Sequence, residues 1–375
     1  MAREFIYFGL ESSFGVPVTP LAAQIWTTTG TGSTTGPNVA GFAGFYGRLD
    51  GGDSFTMRPA PVPVSVPYGG GLATRAFTVS DKQDVKGTYK TKLYAGPYAQ
   101  FLLQWAVQQI NSGGYVGGAG VVTGWSYTGR AGDLASVTIV HAIQMDDGTY
   151  AVRQYPGVKV AKWTLEISSQ SQIGELTLDL VGSSACGNPF NYGNYVDPTL
   201  QTFTGPGATP PTWGSTSTAS TVSFPGTPNL PVNPHLFVDL GSGVTIGSAR
   251  GAFESIHLTG DNHIARRWWA NRFVQTQLFC GRTVSLTCEN YYKHLTPSDR
   301  SQFESMTPQA ASIEFNNGTH TITLTLNANN VITTLTDVLP LDNIYTQRLE
   351  LASQWDPAYA QTDQALGADL EIAFT

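Results

Sequence analysis

The sequence has few charged residues and no long apolar run. Only 13% of its 375 residues are Asp, Glu, Lys or Arg, whereas a soluble domain usually carries about 25%. Much of the surface must therefore consist of neutral or aromatic side chains, which favours a protein whose faces are covered by neighbouring chains. No window has about 18 consecutive apolar residues, so no membrane insertion is expected.

The charge that is present is acidic. The net charge is −7 and the chain has no basic run, which argues against a protein that grips DNA by neutralising its phosphates. The opening residues, MAREFIYFGLESS, lack the apolar segment and cleavage site of a secretion signal. A cytoplasmic origin is therefore expected.

Cysteine is scarce as well. Cys186, Cys280 and Cys288 are odd in number and form no CxxC pair, which argues against a disulfide framework or a zinc site. Cys288 alternates in phase with Val284 and Leu286 in an apparent strand. The pattern predicts buried free thiols.

Residue patterns of catalysis and cofactor binding are missing too. The Gly-rich loops GTGSTTG and GGYVGGAG lack the Lys-Ser/Thr ending of a phosphate loop, and no GxSxG or Ser-His-Asp order occurs. His257 and His263 lie near Asp261, but His257 alternates with apolar neighbours on a strand, which favours a structural role over a metal site. We expect no enzyme activity, no cofactor and no metal.

Strands are what the sequence offers instead. In 155–183, Trp163, Leu165 and Ile167 alternate with polar residues, and Leu176, Leu178 and Leu180 do the same after a polar turn. This is the period of a half-buried antiparallel hairpin. Further strands are predicted at 76–93, 137–145, 150–155, 160–167, 236–239, 252–259, 283–289, 312–315, 319–326, 344–351 and 369–374.

Two helices and two irregular segments complete the prediction. An amphipathic helix begins at Pro97 and stops near Asn111, and a short helix begins at Thr296 with Pro297 in its first turn. Residues 27–71 are rich in Gly, Thr and Pro and predict a long loop or extended arm, with helix excluded and a central strand not expected. Residues 186–234 are a low-complexity junction, which divides the chain into domains 1–185 and 235–375. Each contains strands, one helix and more strands, which suggests a divergent duplication.

Four segments carry a resemblance to a known family. They are FGLESSFGVPVTP, YKTKLYAGPYAQFLLQW, YPGVKVAKWTLEISSQSQIGELTLDLVGS and LTLNANNVITTLTDVLPLDNIYTQRLELASQW. Together they resemble the tail tube (major tail) proteins of long-tailed bacteriophages over nearly the whole chain.

The resemblance implies a mainly β fold of two β-sandwich or barrel-like units, each with a short flanking helix. It implies a structural protein of the virion tail, assembled in the host cytoplasm, whose copies form stacked rings around a passage for DNA. Two fused units imply rings of three chains with pseudo-sixfold shape. The implied partners are other copies of the chain, the tail terminator, the tape-measure protein and the tail-tip proteins, with DNA as a non-specific passing cargo.

Five aromatic residues are candidates for contacts between copies: Phe42, Phe45, Tyr46, Trp268 and Trp269. The first three lie in the predicted arm, which is expected to order on assembly. The last two follow Arg266-Arg267, a combination that suits an aromatic anchor with cation–π partners and also a base-stacking platform. Two other classes fit the Trp and Tyr content or the alternation, namely a secreted carbohydrate-binding or carbohydrate-active β-sandwich and an outer-membrane barrel.

Overall fold

The computed structural model describes residues 4–11, 14–15, 45–47, 53–67, 75–93, 97–107, 125–128, 136–144, 150–183, 243–247, 249–250, 253–268, 274–291, 301, 303–316, 318, 321–338, 346–353 and 370–374. These residues are mainly β, as predicted, and their strands pair antiparallel. Within these ranges, no helix is long and apolar enough to cross a membrane.

The first half supplies eight strands and a helix to the described structure. They are β1 (Glu4–Leu10), β2 (Phe45–Gly47), β3 (Ser54–Pro67), β4 (Arg75–Lys92), α1 (Pro97–Val107), β5 (Trp125–Thr128), β6 (Val137–Gln144), β7 (Tyr150–Ser168) and β8 (Glu175–Gly182).

The second half supplies ten strands and a short helical segment to the described structure. Its strands are β9 (Val244–Ile246), β10 (Ala249–Arg250), β11 (Phe253–Asp261), β12 (Ile264–Arg267), β13 (Thr276–Phe279), β14 (Thr283–Tyr291), β15 (Gln309–Asn316), β16 (Thr321–Val338), β17 (Thr346–Ala352) and β18 (Leu370–Phe374). Ser301, Phe303 and Glu304 are helical, whereas the predicted start of that helix at Thr296 lies outside the described residues. So does the strand predicted at 236–239.

The predicted hairpin in 155–183 is confirmed. β7 and β8 pair antiparallel with Trp163 opposite Leu178 and Leu165 opposite Leu176, and these side chains are buried. The two strands predicted at 150–155 and 160–167 are, however, one strand. Pro156 and Gly157 do not end it, because they lie at a bulge in the pairing with β6, where Gly157 has a positive φ of 65°.

Helix α1 begins at Pro97 as predicted, but it is not amphipathic in the folded chain. Residues 101–107 are all buried, including the polar Gln104. The Phe8 ring of β1 contacts the rings of Phe101 and Trp105, and also that of Tyr89 in β4. The helix is therefore enclosed, and no face of its last two turns reaches solvent.

Part of the predicted arm is a regular strand. Residues 54–67 form β3 and pair with β4, and the side chains of Phe55 and Met57 are buried. β3 is an edge strand and not a central one, as expected, because β4 is the strand that pairs with it within the described residues. Residues 27–44 of the arm lie outside the described residues.

The two halves have the same strand order. In the first half the pairing runs β3-β4-β8-β7-β6-β1-β2, and in the second it runs β11-β14-β17-β16-β15-β9-β10. Along the chain, the helical segment of each half lies between the second and the fifth strand of this order, that is, between β4 and β6 and between β14 and β15. The duplication suggested by the sequence thus appears as a repeated topology.

Both halves share one sheet. β7 of the first half pairs with β11 of the second half over seven residue pairs, from Ser168 opposite Ser255 to Lys162 opposite Asp261. The result is an eight-stranded sheet in the order β3-β4-β8-β7-β11-β14-β17-β16. The junction 186–234 lies outside the described residues, and the boundaries 1–185 and 235–375 stay a prediction, but the halves do not form separate sheets.

Candidate assembly interface

The β7–β11 joint shows how one half of the protein attaches to another. Leu165 lies opposite Leu258 and Trp163 opposite Gly260, and all four residues are buried. A Cβ on Gly260 would overlap the indole of Trp163, so the glycine makes room for the aromatic ring. Backbone hydrogen bonds across an antiparallel pair and buried apolar neighbours hold the joint together.

The eight-stranded sheet ends in two edges. One is β3, and the other is the 331–338 part of β16, which pairs with β17 on its inner side. Within the described residues, no strand pairs with the outer side of either segment. An open edge of this kind presents backbone N–H and C=O groups to any strand that fits.

Proline shapes the β3 edge. Met57 lies opposite Gly87 of β4, and a Cβ on Gly87 would come within 2.7 Å of the Met57 Cα. So close an approach is typical of a non-hydrogen-bonded pair, in which the N–H and C=O of Met57 point away from β4. Pro59, Pro61 and Pro63 share this parity, so the three outward-facing positions that follow Met57 have no N–H to donate.

One face of the eight-stranded sheet is polar. The side chains that alternate with the buried ones are Thr, Ser, Lys, Glu, Asp and His, among them Thr88, Lys90, Thr164, Glu166, Thr177, Asp179, His257, Thr259, Ser285 and Glu350. They are exposed or half-buried. We call this surface the polar face.

Lysines on the polar face are paired with carboxylates. Lys90 Nζ lies 2.5 Å from Glu175 Oε1, and Lys162 Nζ lies 3.0 Å from Asp261 Oδ2 across the β7–β11 joint. The hydrogen bond to Glu175 raises the pKa of Lys90, and the one to Asp261 raises the pKa of Lys162. A lysine held in this way is a weak site for a phosphate, because its charge is already balanced.

Asp261 is fixed from two sides. It accepts hydrogen bonds from the backbone N–H of His263, at 2.8 Å, and from Lys162. Burial pushes the pKa of Asp261 up, but these bonds and the neighbouring charges outweigh burial and lower it overall. The carboxylate therefore stays ionised and holds the end of β11 in place.

The hairpin of β12 and β13 attaches the second half to the first. Arg266 forms an ion pair with Asp84 of β4, and its guanidinium lies 5.6 Å from the centre of the Trp268 ring. Burial lowers the pKa of Arg266. On the other strand of the hairpin, the buried Gln277 accepts a bond from Lys159 Nζ at its backbone carbonyl.

The predicted contact residues are only partly placed. Trp268 is half-buried and has its cation–π partner, Arg266, within the same chain. Phe45 and Tyr46 lie in β2, opposite Phe8 and Tyr7 of β1. Phe42 and Trp269 lie outside the described residues. The role of all five in assembly stays a prediction.

The cysteines and histidines have structural surroundings. Cys288 is buried, as predicted, and burial raises the pKa of its thiol far above the usual range. Cys280 is exposed, contrary to the prediction, because it follows β13 where the hairpin rejoins the sheet. His257 lies 3.6 Å from Glu166 on the polar face. No group of three or more metal-ligating side chains occurs among the described residues.

A buried carboxylate was missed by the sequence analysis. Glu11 Oε1 accepts hydrogen bonds of 2.7 Å from the Gly157 N–H and from the Thr138 hydroxyl, and Oε2 accepts one of 2.8 Å from the Gly15 N–H. Burial raises the pKa of Glu11, although these bonds and one from Ser136 oppose the shift. The residue ties the end of β1 to the bulge in β7, and no sequence pattern marks it.

Comparisons with known proteins add little. No family model matches the chain, and no curated protein matches it. A solved chain of the "Virion of native gene transfer agent (GTA) particle" has 11% sequence identity and a TM-score of 0.24, over 36% of this chain and 97% of that chain. At this TM-score the likeness supports no conclusion about function.

Proposed function

We propose that the protein is a structural subunit that assembles into rings, which stack into the hollow tail tube of a phage-like virion. The observation that carries this proposal is the β7–β11 joint. It attaches one topological repeat to the next, edge to edge. In the repeated strand order, β16 takes the place of β7 and β3 takes the place of β11. Within the described residues, the outer edges of β16 and β3 are open at the two ends of the sheet.

Repetition of such a joint between copies gives a closed ring. The contact is heterologous, since the last strand of one copy meets the first strand of the next, and a heterologous contact closes when its rotation divides a full turn. Three copies would contribute 24 strands. At a spacing of about 4.8 Å per strand, their circumference is about 115 Å and the diameter about 37 Å, and strand tilt widens it further. Such a ring leaves a central channel.

The polar face suits the wall of that channel. It is uncovered by other described elements and carries Lys90 and Lys162 already paired with acids. The chain as a whole has a net charge of −7. A wall of this kind holds passing DNA weakly, because phosphate binding needs basic groups that are free to neutralise it.

Further parts of the proposal follow from the tail tube role. The protein would lie in the virion tail after assembly in the host cytoplasm, with no enzymatic activity. Its partners would be its own copies, the tail terminator, the tape-measure protein and the tail-tip proteins, and DNA would pass as a non-specific cargo.

Electron microscopy of the purified protein, with mass photometry at micromolar concentration, tests this function. We expect rings or tubes, and a ring of three copies would have three times the 40.1 kDa subunit mass. A monomer that persists even with tail-initiation proteins present would overturn the proposal. A ring of six chains would keep the assembly but contradict the threefold symmetry.

A further inference from the structure

The two halves of the chain can be aligned strand by strand through their bulges. The β7–β8 pairing shifts register between Val160 and Lys162, and the β16–β17 pairing shifts between Ile332 and Thr334. The β6–β7 and β15–β16 pairings also shift register at equivalent places. The shift follows the pair Val137–Val158 in one half and the pair Gln309–Asn330 in the other. Ile332 is thus the equivalent of Val160, and Leu335 that of Trp163.

The strands that come first in the two pairing orders, β3 and β11, align in the same way. In one half, Met57, Gly87, Leu180 and Val160 form a row across four strands. In the other half the same row consists of Leu258, Leu286, Leu351 and Ile332. β3 is therefore the equivalent of β11, with Met57 in the place of Leu258.

We propose that β16 of one copy pairs antiparallel with β3 of the next copy in the register of the β7–β11 joint. Leu165 lies opposite Leu258 and Trp163 opposite Gly260 in that joint. The equivalent positions put Asp337 opposite Met57, Thr336 opposite Arg58 and Leu335 opposite Pro59 of the adjacent copy. This inference rests on the proposed ring assembly and specifies the strands and residues that form it.

The hydrogen-bonding groups of β3 agree with this register. In the joint inside the chain, the backbone N–H and C=O groups of the even-numbered residues of β11 point towards β7, as the bond from the Asn262 N–H to the Ala161 carbonyl shows. Their equivalents in β3 are Phe55, Met57 and Pro59. Phe55 and Met57 have N–H groups to donate, whereas Pro59 and Pro61 do not. The Met57 carbonyl accepts a bond from the Tyr155 hydroxyl, and its second lone pair is available for the adjacent copy.

The prolines also limit the joint. An incoming strand finds outward-facing donors at Phe55 and Met57 but none at Pro59, Pro61 or Pro63, so it cannot slide two residues towards Pro67 without losing backbone bonds. β11, which takes the place of β3 in the joint inside the chain, contains no proline. The RPAPVPVSVP run is thus a device that selects one register between copies.

Disulfide trapping tests the register. Arg58 and Thr336 are both exposed, and the proposal makes them a directly opposed, non-hydrogen-bonded pair, whose Cα atoms lie about 4.5 Å apart. We would combine R58C with T336C in a C186S/C280S background, and use T56C with T336C as the matched control. Thr56 is also exposed but lies two residues out of register, at a Cβ distance of about 7–8 Å.

In the assembled protein, we expect mild oxidation to link the R58C/T336C copies into covalent oligomers, and the control to react about tenfold more slowly. Rings that form without cross-links, or with equal cross-links in both variants, would overturn the register and leave the proposed function intact. If the wild-type protein forms no assembly at all, both proposals fail. The wild-type and C186S/C280S proteins are imaged alongside, so that a loss of assembly caused by the substitutions is recognised.

Discussion

The side-chain amide of Asn262 lies 2.9 Å from the carbonyl oxygen of Ala106 and donates a hydrogen bond to it. A second bond of 2.9 Å runs from the same nitrogen to the Val160 carbonyl. Asn262 follows β11 in the second half, whereas Ala106 lies in the last turn of α1 in the first half. Arg282 adds a bond to the Val107 carbonyl, so the second half of the chain caps the helix of the first.

Replacing Asn262 with Leu should destabilise the protein by about 2–4 kcal/mol, because two buried carbonyls lose their donor. Urea unfolding followed by tryptophan fluorescence measures the change. N316A is the control, since Asn316 is exposed and its side chain accepts one bond in a turn, from Gly318; it should cost about 1 kcal/mol or less. Equal unfolding curves for N262L and the wild type would show that the cap contributes nothing.

Gly260 and Trp163 should behave as a coupled pair. G260A places a methyl group against the indole, and we expect a loss of about 1–3 kcal/mol from overpacking. W163L also destabilises, through the cavity it leaves, but it should reduce the further cost of G260A. A double-mutant cycle on the unfolding free energy measures this coupling, and strictly additive effects would contradict it.

Glu11 predicts a pH dependence of stability. Its folded pKa is raised, so the folded state holds the proton more tightly than the unfolded state, whose value is about 4.3. The contribution of Glu11 to stability is therefore fully present below that value and falls as the pH rises through the folded pKa.

The variant E11Q removes this titration. We expect the stability difference, wild type minus E11Q, to fall as the pH rises from about 4 towards neutrality. Unfolding curves across that range measure it. A difference that is constant, or that grows with pH, would show that the hydrogen bonds to Glu11 outweigh its burial and that the sign is wrong.

The prolines of β3 should protect the protein against wrong pairing. P59V/P61V restores two N–H groups on the open edge, so we expect aggregates or irregular assemblies to increase at the expense of rings. Light scattering and electron microscopy follow the two products. A V62T substitution is the control, because it changes the same strand without adding a donor at an outward-facing position. Rings of unchanged yield in P59V/P61V would show that the prolines do not select the register between copies.

Sequence alone predicted the elements whose pattern is local. Alternation from Trp163 to Ile167 and from Leu176 to Leu180 is enough to give the β7–β8 hairpin, since a period of two places one set of side chains in the core. Pro97 likewise marks the start of α1, because its fixed φ and missing N–H suit the first turn. Local patterns of this kind also predicted the mainly β class and the repeated sequence of strands, helix and strands.

Tertiary structure decided the features that depend on distant partners. Burial of every face of the last two turns of α1, the capping of its end by Asn262 and the buried carboxyl group of Glu11 each need contacts between residues far apart in the chain. The alignment of β7 with β11 is of the same kind. Any strand with one apolar face offers two edges, and its residue pattern does not say which strand will lie beside it, because backbone hydrogen bonds are the same for every sequence.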